Sequence, residues 1–313
     1  MKGIKIFSGK SHRKLAKRIC RQLEVPLSPL KIEEYGNGCS EVILEKYVRN
    51  KIVFLIQTSS PKNLSKHLLQ LLLMTETVSE CGAKKIIVIM PYVSYSRSDK
   101  KHKKCRNKMI IAGKWLIRAL EKNGMNKFIG IDFHSKRFEK FFSPETEVHH
   151  LSALPLIVKA LEKKNLNPES TIILAPDKGA CKKTSHLAKE LKIPFGWVEK
   201  KRISDTKVEI EKIHGEVAGK DVIVLDDEIS TGGTIKTLAD KLTKLKARSL
   251  TIAVTHGLFL GKALKNFQKI KILKKIIVTD TVPISKKVKR HLPLEILPID
   301  ELLAEKIKEI CKN

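Results

Sequence analysis

At 313 residues the chain has room for two domains of about 150 residues, and none of its apolar runs reaches the ~18 residues that a membrane-crossing helix needs. The formal charge of +29 comes from 62 Lys and Arg against 33 Asp and Glu; because Lys dominates that excess and aromatics are only 5%, nucleic acid is not expected as the main partner. The six cysteines, Cys20, Cys39, Cys81, Cys105, Cys181 and Cys311, contain no Cys-x-x-Cys pair, which argues against both a zinc site and a disulfide framework.

Residues 4–7 read as a first strand followed by a turn and not as a secretion signal, so the cytoplasm is the expected compartment and no membrane is involved. Apolar runs of strand length recur at 52–57, 86–90, 128–132, 172–175, 222–225, 250–255 and 276–279. Helical spacing fills most of the gaps, at 64–81, 110–123, 154–164, 178–191 and 234–246, and Asp300 stands where it can cap a last helix over 301–312. Strands alternating with helices predict an α/β protein with parallel sheets covered on both faces. The chain divides into two similar units in tandem, 1–149 and 150–300, with the terminal helix over 301–313 able to pack on the first. The densest cationic run, from Lys100 to Arg106, reads equally as an anion-binding loop or as solvated surface.

The stretch from Val222 to Thr234 carries the most chemistry. An apolar strand is expected to end at two adjacent carboxylates, Asp226 and Asp227, where ligands collect in open α/β sheets. Ser230, Thr231, Gly232, Gly233 and Thr234 then lead into helical spacing. Two glycines let backbone N–H groups approach an anion, the helix start adds its positive end, and the hydroxyls add donors. Carboxylates beside such a cup accept hydrogen bonds from vicinal sugar hydroxyls, so a sugar phosphate is the expected ligand. A purely structural turn has no use for the paired acids. The order Gly-x-x-x-x-Gly-Lys-Ser/Thr of a nucleotide P-loop is absent here.

This loop resembles the ribose 5-phosphate loop shared by type I phosphoribosyltransferases and the ribose-phosphate pyrophosphokinases. Further segments resemble the pyrophosphokinases in order along the chain. Pro91, Tyr92, Tyr95, Arg97, Ser98, Asp99 and Lys100 follow that family's ATP-binding Pro-Tyr-x-x-Tyr-x-Arg-Gln-Asp-Arg, with Ser98 in place of Gln and Lys100 in place of Arg. Residues 130–134 are similar to a segment ending in Asp-Leu-His, which implies that His134 ligates the Mg²⁺ accompanying ATP. Residues 175–180 are similar to Ser-Pro-Asp-x-Gly-Gly, which implies that Asp177 is the second metal-linked residue. Residues 198–202 resemble the start of the family's catalytic flexible loop, placing Lys200 and Arg202 on its two catalytic cations and making 203–212 a lid. Tyr35 and Asn37 lie in the segment that meets adenine, where Cys39 replaces a Glu, and Val48-Arg49 and Ile56-Gln57 match again.

The resemblance implies two tandem phosphoribosyltransferase-like domains, each a mainly parallel sheet flanked by helices, with ATP on the N-terminal side and ribose 5-phosphate on the C-terminal side. It implies transfer of the pyrophosphoryl group of ATP to the sugar's anomeric hydroxyl, with Mg²⁺ as cofactor. Because the family's adenine pocket is completed by a neighbouring subunit, it also implies a homo-oligomer built from dimers, up to a hexamer. Ser230 stands where many members have Asp; a hydroxyl beside a phosphate donates a hydrogen bond, so the change is physically acceptable. Three alternatives stay open: a weakly catalytic regulatory homologue, favoured by Cys39, Ser98 and Lys100; a phosphoribosyltransferase that consumes the product, disfavoured by the second α/β unit and His134; and a nucleic-acid-binding protein.

Overall fold

The computed structural model describes residues 3–98, 110–202 and 208–312, with the backbone alone at 201, 202, 208 and 209. Asp99 and Lys100 therefore lie outside the described residues, as does the side chain of Arg202. The chain divides into two units: Met1–Ser152 with Thr281–Pro283 and Ile299–Asn313, and Ala153–Asp280 with Ile284–Pro298.

The first unit holds five parallel strands in the order β1 (Ile4–Ser8), β4 (Ile52–Ile56), β5 (Lys85–Met90), β6 (Lys127–Ile131) and β7 (Glu147–Leu151). The β4 sequence Ile-Val-Phe-Leu-Ile has no polar alternation because both of its faces are covered. Phe7, Val53, Leu55, Val88, Met90 and Phe128 face one core, which receives α2 (Leu64–Glu80) and α3 (Ala112–Lys122). The alternate positions Ile6, Phe54, Ile56, Ile87, Ile89 and Ile129 are buried on the opposite face. α1 (Arg13–Gln22) packs against β1 and against α9 (Asp300–Lys312). Asp300 is the first residue of α9, and its carboxylate accepts from Arg18 Nε at 2.9 Å and Gln22 Nε2 at 3.4 Å. A separate hairpin, β2 (Leu30–Glu34) and β3 (Ser40–Leu44), completes the unit.

The second unit is a seven-stranded sheet made of β8 (Thr171–Ala175), β9 (Phe195–Arg202), β10 (Val208–His214), β11 (Asp221–Ile229), β12 (Ser249–Gly257), β13 (Leu273–Thr279) and β14 (Leu294–Leu297). The spatial order is β10-β9-β8-β11-β12-β13-β14, and only the β9–β10 pair is antiparallel. Val222 and Val224 enter one core with α6 (Gly233–Lys244), while Ile223 and Leu225 enter the other with α4 (Leu154–Glu162) and α5 (Cys181–Glu190). The period-2 split of one apolar run between two cores is what a central parallel strand requires. Smaller helices, α7 (Ala263–Gln268) and α8 (Lys286–His291), cover the rest of the first face.

Three expectations change. The strand expected over 222–225 runs on through both carboxylates to Ile229, because β12 keeps pairing with it. The segment read as a lid over 203–212 is in part a strand: Val208–His214 pairs antiparallel with β9, and residues 203–207 lie outside the described residues. Helix α5 starts at Cys181 and not at 178, because the Asp177 carboxylate accepts the Ala180 N–H at 3.1 Å and holds Lys178–Ala180 as a tighter turn.

Candidate functional site

The strand order of the second unit reverses between β8 and β11, the place where open α/β sheets bind ligands. β11 has a neighbour on each side only as far as Val224, which pairs with Leu174; beyond it β12 alone continues, with Asp226 opposite Val254 and Glu228 opposite His256. The two predicted carboxylates thus stand on a strand that projects past β8. The Asp227 N–H donates to Asp226 Oδ1 at 2.9 Å. Burial first, then the Asp227 charge and hydrogen bond, with Asp177 adding to them, pushes the Asp226 carboxyl up to about 8.

That displacement has a consequence for stability. A carboxyl held more readily protonated in the folded state loses folding free energy as pH rises from about 4 to about 8. Asp226→Asn removes the ionisation, so its melting temperature should exceed that of the unsubstituted protein by about 3–6 °C near pH 9 and match it near pH 4. A thermal-unfolding series in pH checks this; a gain that grows on acidification contradicts it.

Gly232 sits at φ 71°, and a Cβ there would meet the Phe267 ring at 2.7 Å, so both the turn and the packing demand glycine. Gly232 is also the N-cap of α6, which has no side-chain cap and no acid in its first turn. Its leading N–H groups and its positive end are therefore left for an anion. The loop is pinned on both sides: the Leu260 N–H donates to Ser230 O and Asn266 Nδ2 donates to Thr231 O, each at 2.9 Å. Thr231 and Thr234 are exposed, and Ser230 and Gly233 are partly buried. The Asn266 and Phe267 supports lie in α7, and no local sequence signal ties them to the loop.

Lys200 on β9 reaches toward Asp177 after β8, with Nζ 3.7 Å from Oδ2; the lysine side chain is only 16% exposed and the carboxylate 50%. The hairpin is braced by other residues. Lys178 Nζ lies 5.3 Å from the centre of the Trp197 ring, Trp197 stacks on His214 at 4.0 Å and 6°, and His214 Nε2 is 3.0 Å from Glu199 Oε2. Trp197 and Glu199 share one strand face by the period-2 rule, while Lys200 is on the other with the core residue Val198. Asp177, Lys200, Asp226, Asp227 and residues 230–234 are thus brought together in one unit. The backbone of Arg202 ends β9.

In the first unit, Tyr35 and Asn37 occupy the turn between β2 and β3, closed by Tyr35 N–H to Cys39 O and Gly38 N–H to Tyr35 O, both 2.9 Å. The exposed Tyr35 hydroxyl donates to Glu41, which pushes its pKa up to about 12, and Asn37 Oδ1 accepts the Cys39 N–H at 3.0 Å. Arg97 ends a short 3-10 turn, Ser94–Arg97, with Ser98 N–H donating to Tyr95 O at 3.0 Å. His134 is exposed, one residue beyond the buried Phe133.

Among the described residues there is no cluster of three or more His, Cys, Asp or Glu able to cage a cation. Asp177 already gives Oδ1 to the Ala180 N–H and has Oδ2 near Lys200. The half-exposed Asp177 carboxylate suits a hard cation that keeps waters and arrives on a polyphosphate, since Mg²⁺ is usually bound through one or two carboxylates plus substrate oxygens; the His134 imidazole is the softer donor and suits it less.

A reversed parallel sheet with paired acids on its projecting strand and a Gly-Gly turn into an uncapped helix is the phosphoribosyltransferase class of α/β protein. The phosphoribosyl transferase domain matches residues 146–290, and the N-terminal domain of ribose phosphate pyrophosphokinase matches residues 4–124. A ribose-phosphate pyrophosphokinase of Fusobacterium nucleatum is 32% identical over 311 residues, 99% of this chain and 96% of the relative. A putative ribose-phosphate pyrophosphokinase of Streptomyces coelicolor is 35% identical over 99% of this chain and 95% of its own. The crystal structure of phosphoribosylpyrophosphate synthetase from Mycobacterium smegmatis superposes with a TM-score of 0.90 at 28% identity, covering 100% of both chains. The chain belongs to the ribose-phosphate pyrophosphokinase family of transferases. No helix among the described residues is long and apolar enough to cross a membrane.

Proposed function

We propose that this protein transfers the pyrophosphoryl group of ATP to the anomeric hydroxyl of ribose 5-phosphate, giving phosphoribosyl pyrophosphate and AMP. The observation that carries the reading is the grouping, at one switch point, of paired carboxylates, an uncapped helix start and a shielded Lys200 beside Asp177. Residues 230–234 bind the 5-phosphate through N–H groups and hydroxyls. Asp226 and Asp227 accept from the 2- and 3-hydroxyls, which orients the anomeric oxygen. That oxygen attacks the β-phosphorus in line: the new O–P bond forms as the bond from the β-phosphorus to the α,β-bridging oxygen breaks, AMP leaves with that oxygen, and the hydroxyl proton passes to solvent. Lys200 and Arg202 offset charge on the transferring group.

In this reading His134 and Asp177 are the metal-linked residues, and Mg²⁺ would supply charge neutralisation on the polyphosphate. Tyr35, Asn37, Arg97, Ser98, Asp99 and Lys100 form the ATP side in this reading, and the active form is a cytoplasmic homo-oligomer built from dimers. A regulatory homologue with little turnover draws on Cys39, an exposed thiol where the family resemblance implies a Glu. One assay separates the two: with ribose 5-phosphate, ATP and Mg²⁺ the protein should release AMP only when the sugar is present. ADP as product, or no turnover at all, overturns the proposal.

A further inference from the structure

The turn that ends β6 is held by residues that no site assignment above uses. Asp132 adopts φ 41°, in the left-handed region that is uncommon for non-glycine residues and that Asp enters more readily than most. Its N–H donates to Leu151 O at 2.9 Å, and its Oδ1 accepts from the Ser152 hydroxyl at 3.2 Å. Phe133 comes next, buried against Phe138 with ring centres 5.0 Å apart; it lies so close over Gly130 that a Cβ there would meet its ring at 2.3 Å. His150, on β7, completes the support. Its Nε2 accepts the Phe133 N–H at 2.9 Å, its Nδ1 lies 2.6 Å from Glu139 Oε1, and its ring stacks on Phe133 at 4.2 Å and 18°.

These contacts fix the tautomer. An Nε2 that accepts an N–H carries no proton, so Nδ1 bears it and donates to Glu139. His150 thus clamps the backbone and the ring of the residue immediately before His134, while the His134 side chain is exposed.

We propose that His150 is a positioning residue for nucleotide binding: by taking the Phe133 N–H and stacking on its ring, it sets the Asp132–Phe133–His134 turn and so the point at which His134 meets a metal-bound nucleotide. The inference rests on the reading of His134 as metal-linked. Groups that orient a ligand at one remove typically change metal affinity by about tenfold or more when lost.

The test uses the full-length protein and calorimetric titration with Mn²⁺ and α,β-methylene-ATP, which needs no turnover. His134→Ala and His150→Asn should each weaken binding about tenfold, and His150→Gln, whose Oε1 can replace the Nε2 acceptor, should stay within about twofold. In steady state the Asn variant should raise KM for ATP with kcat changed less, whereas a simple loss of folded protein lowers kcat and leaves KM alone. Wild-type affinity in His150→Asn beside a weakened His134→Ala overturns the positioning role. Equal losses in the Asn and Gln variants also overturn it. Wild-type affinity in His134→Ala overturns the metal reading itself.

Discussion

Replacing Lys200 by alanine is expected to lower kcat by about 10²–10³-fold while moving KM for either substrate only a fewfold. The lysine side chain is largely shielded from water, and its ammonium lies 3.7 Å from the half-exposed Asp177 carboxylate, so its position is held while solvent screens its charge only in part. Negative charge redistributes between the transferring group and the departing AMP in the transition state, and a cation fixed there contributes about 2–4 kcal/mol that neither ground state uses. Steady-state kinetics on a variant with an unchanged melting profile reads this directly. Near-normal kcat would remove Lys200 from the mechanism, whereas a large rise in KM at constant kcat would make it a binding residue only.

The second large effect is expected at Asp227. Asp227→Asn keeps the size of the side chain and an acceptor oxygen but loses the charge, and a hydrogen bond to a charged acceptor is worth about 1.5–3 kcal/mol. KM for ribose 5-phosphate should therefore rise about 10–100-fold, with KM for ATP nearly constant. The neighbouring Asp226, held toward its protonated form by burial and by Asp227, is relieved of that like charge in the same variant. An unchanged dependence on the sugar would contradict the assignment of Asp227 to the hydroxyls.

Much of the fold is legible where apolar residues cluster at strand length. Residues 53–56, 86–90 and 128–131 are buried apolar runs of strand length, and their identity follows from that length and composition alone. The hairpin β9–β10 is hidden for the opposite reason. Its sequence around Glu199, Lys200, Lys201 and Arg202 looks like solvated charge, and strand pairing with Val208–His214 supplies the order that side-chain hydropathy does not show. The extension of β11 through Asp226 and Asp227 is likewise set by β12 and not by its own residues.

The loop from Ser230 to Thr234 is legible because an anion-binding turn calls for glycines and hydroxyls in sequence, one after another. Its supports, Asn266 and Phe267, are not, since they become neighbours only through tertiary packing. His150 is hidden in the same way: the acceptor it offers to Phe133 has meaning only after β6 and β7 pair. Thr281–Pro283 belongs to the first unit although its sequence neighbours belong to the second, and Thr58 Oγ1 donating to Thr281 O at 2.8 Å is a contact that no local pattern announces.

The most direct test of the chemistry follows the phosphorus atoms. Incubation of the protein with ribose 5-phosphate and Mg²⁺, using ATP labelled with ³²P at the β position in one reaction and at the γ position in another, should carry both labels into the sugar product in equal yield. Neither label should remain with the departing nucleotide. Transfer of the γ label alone, with the β label left on ADP, would contradict pyrophosphoryl transfer.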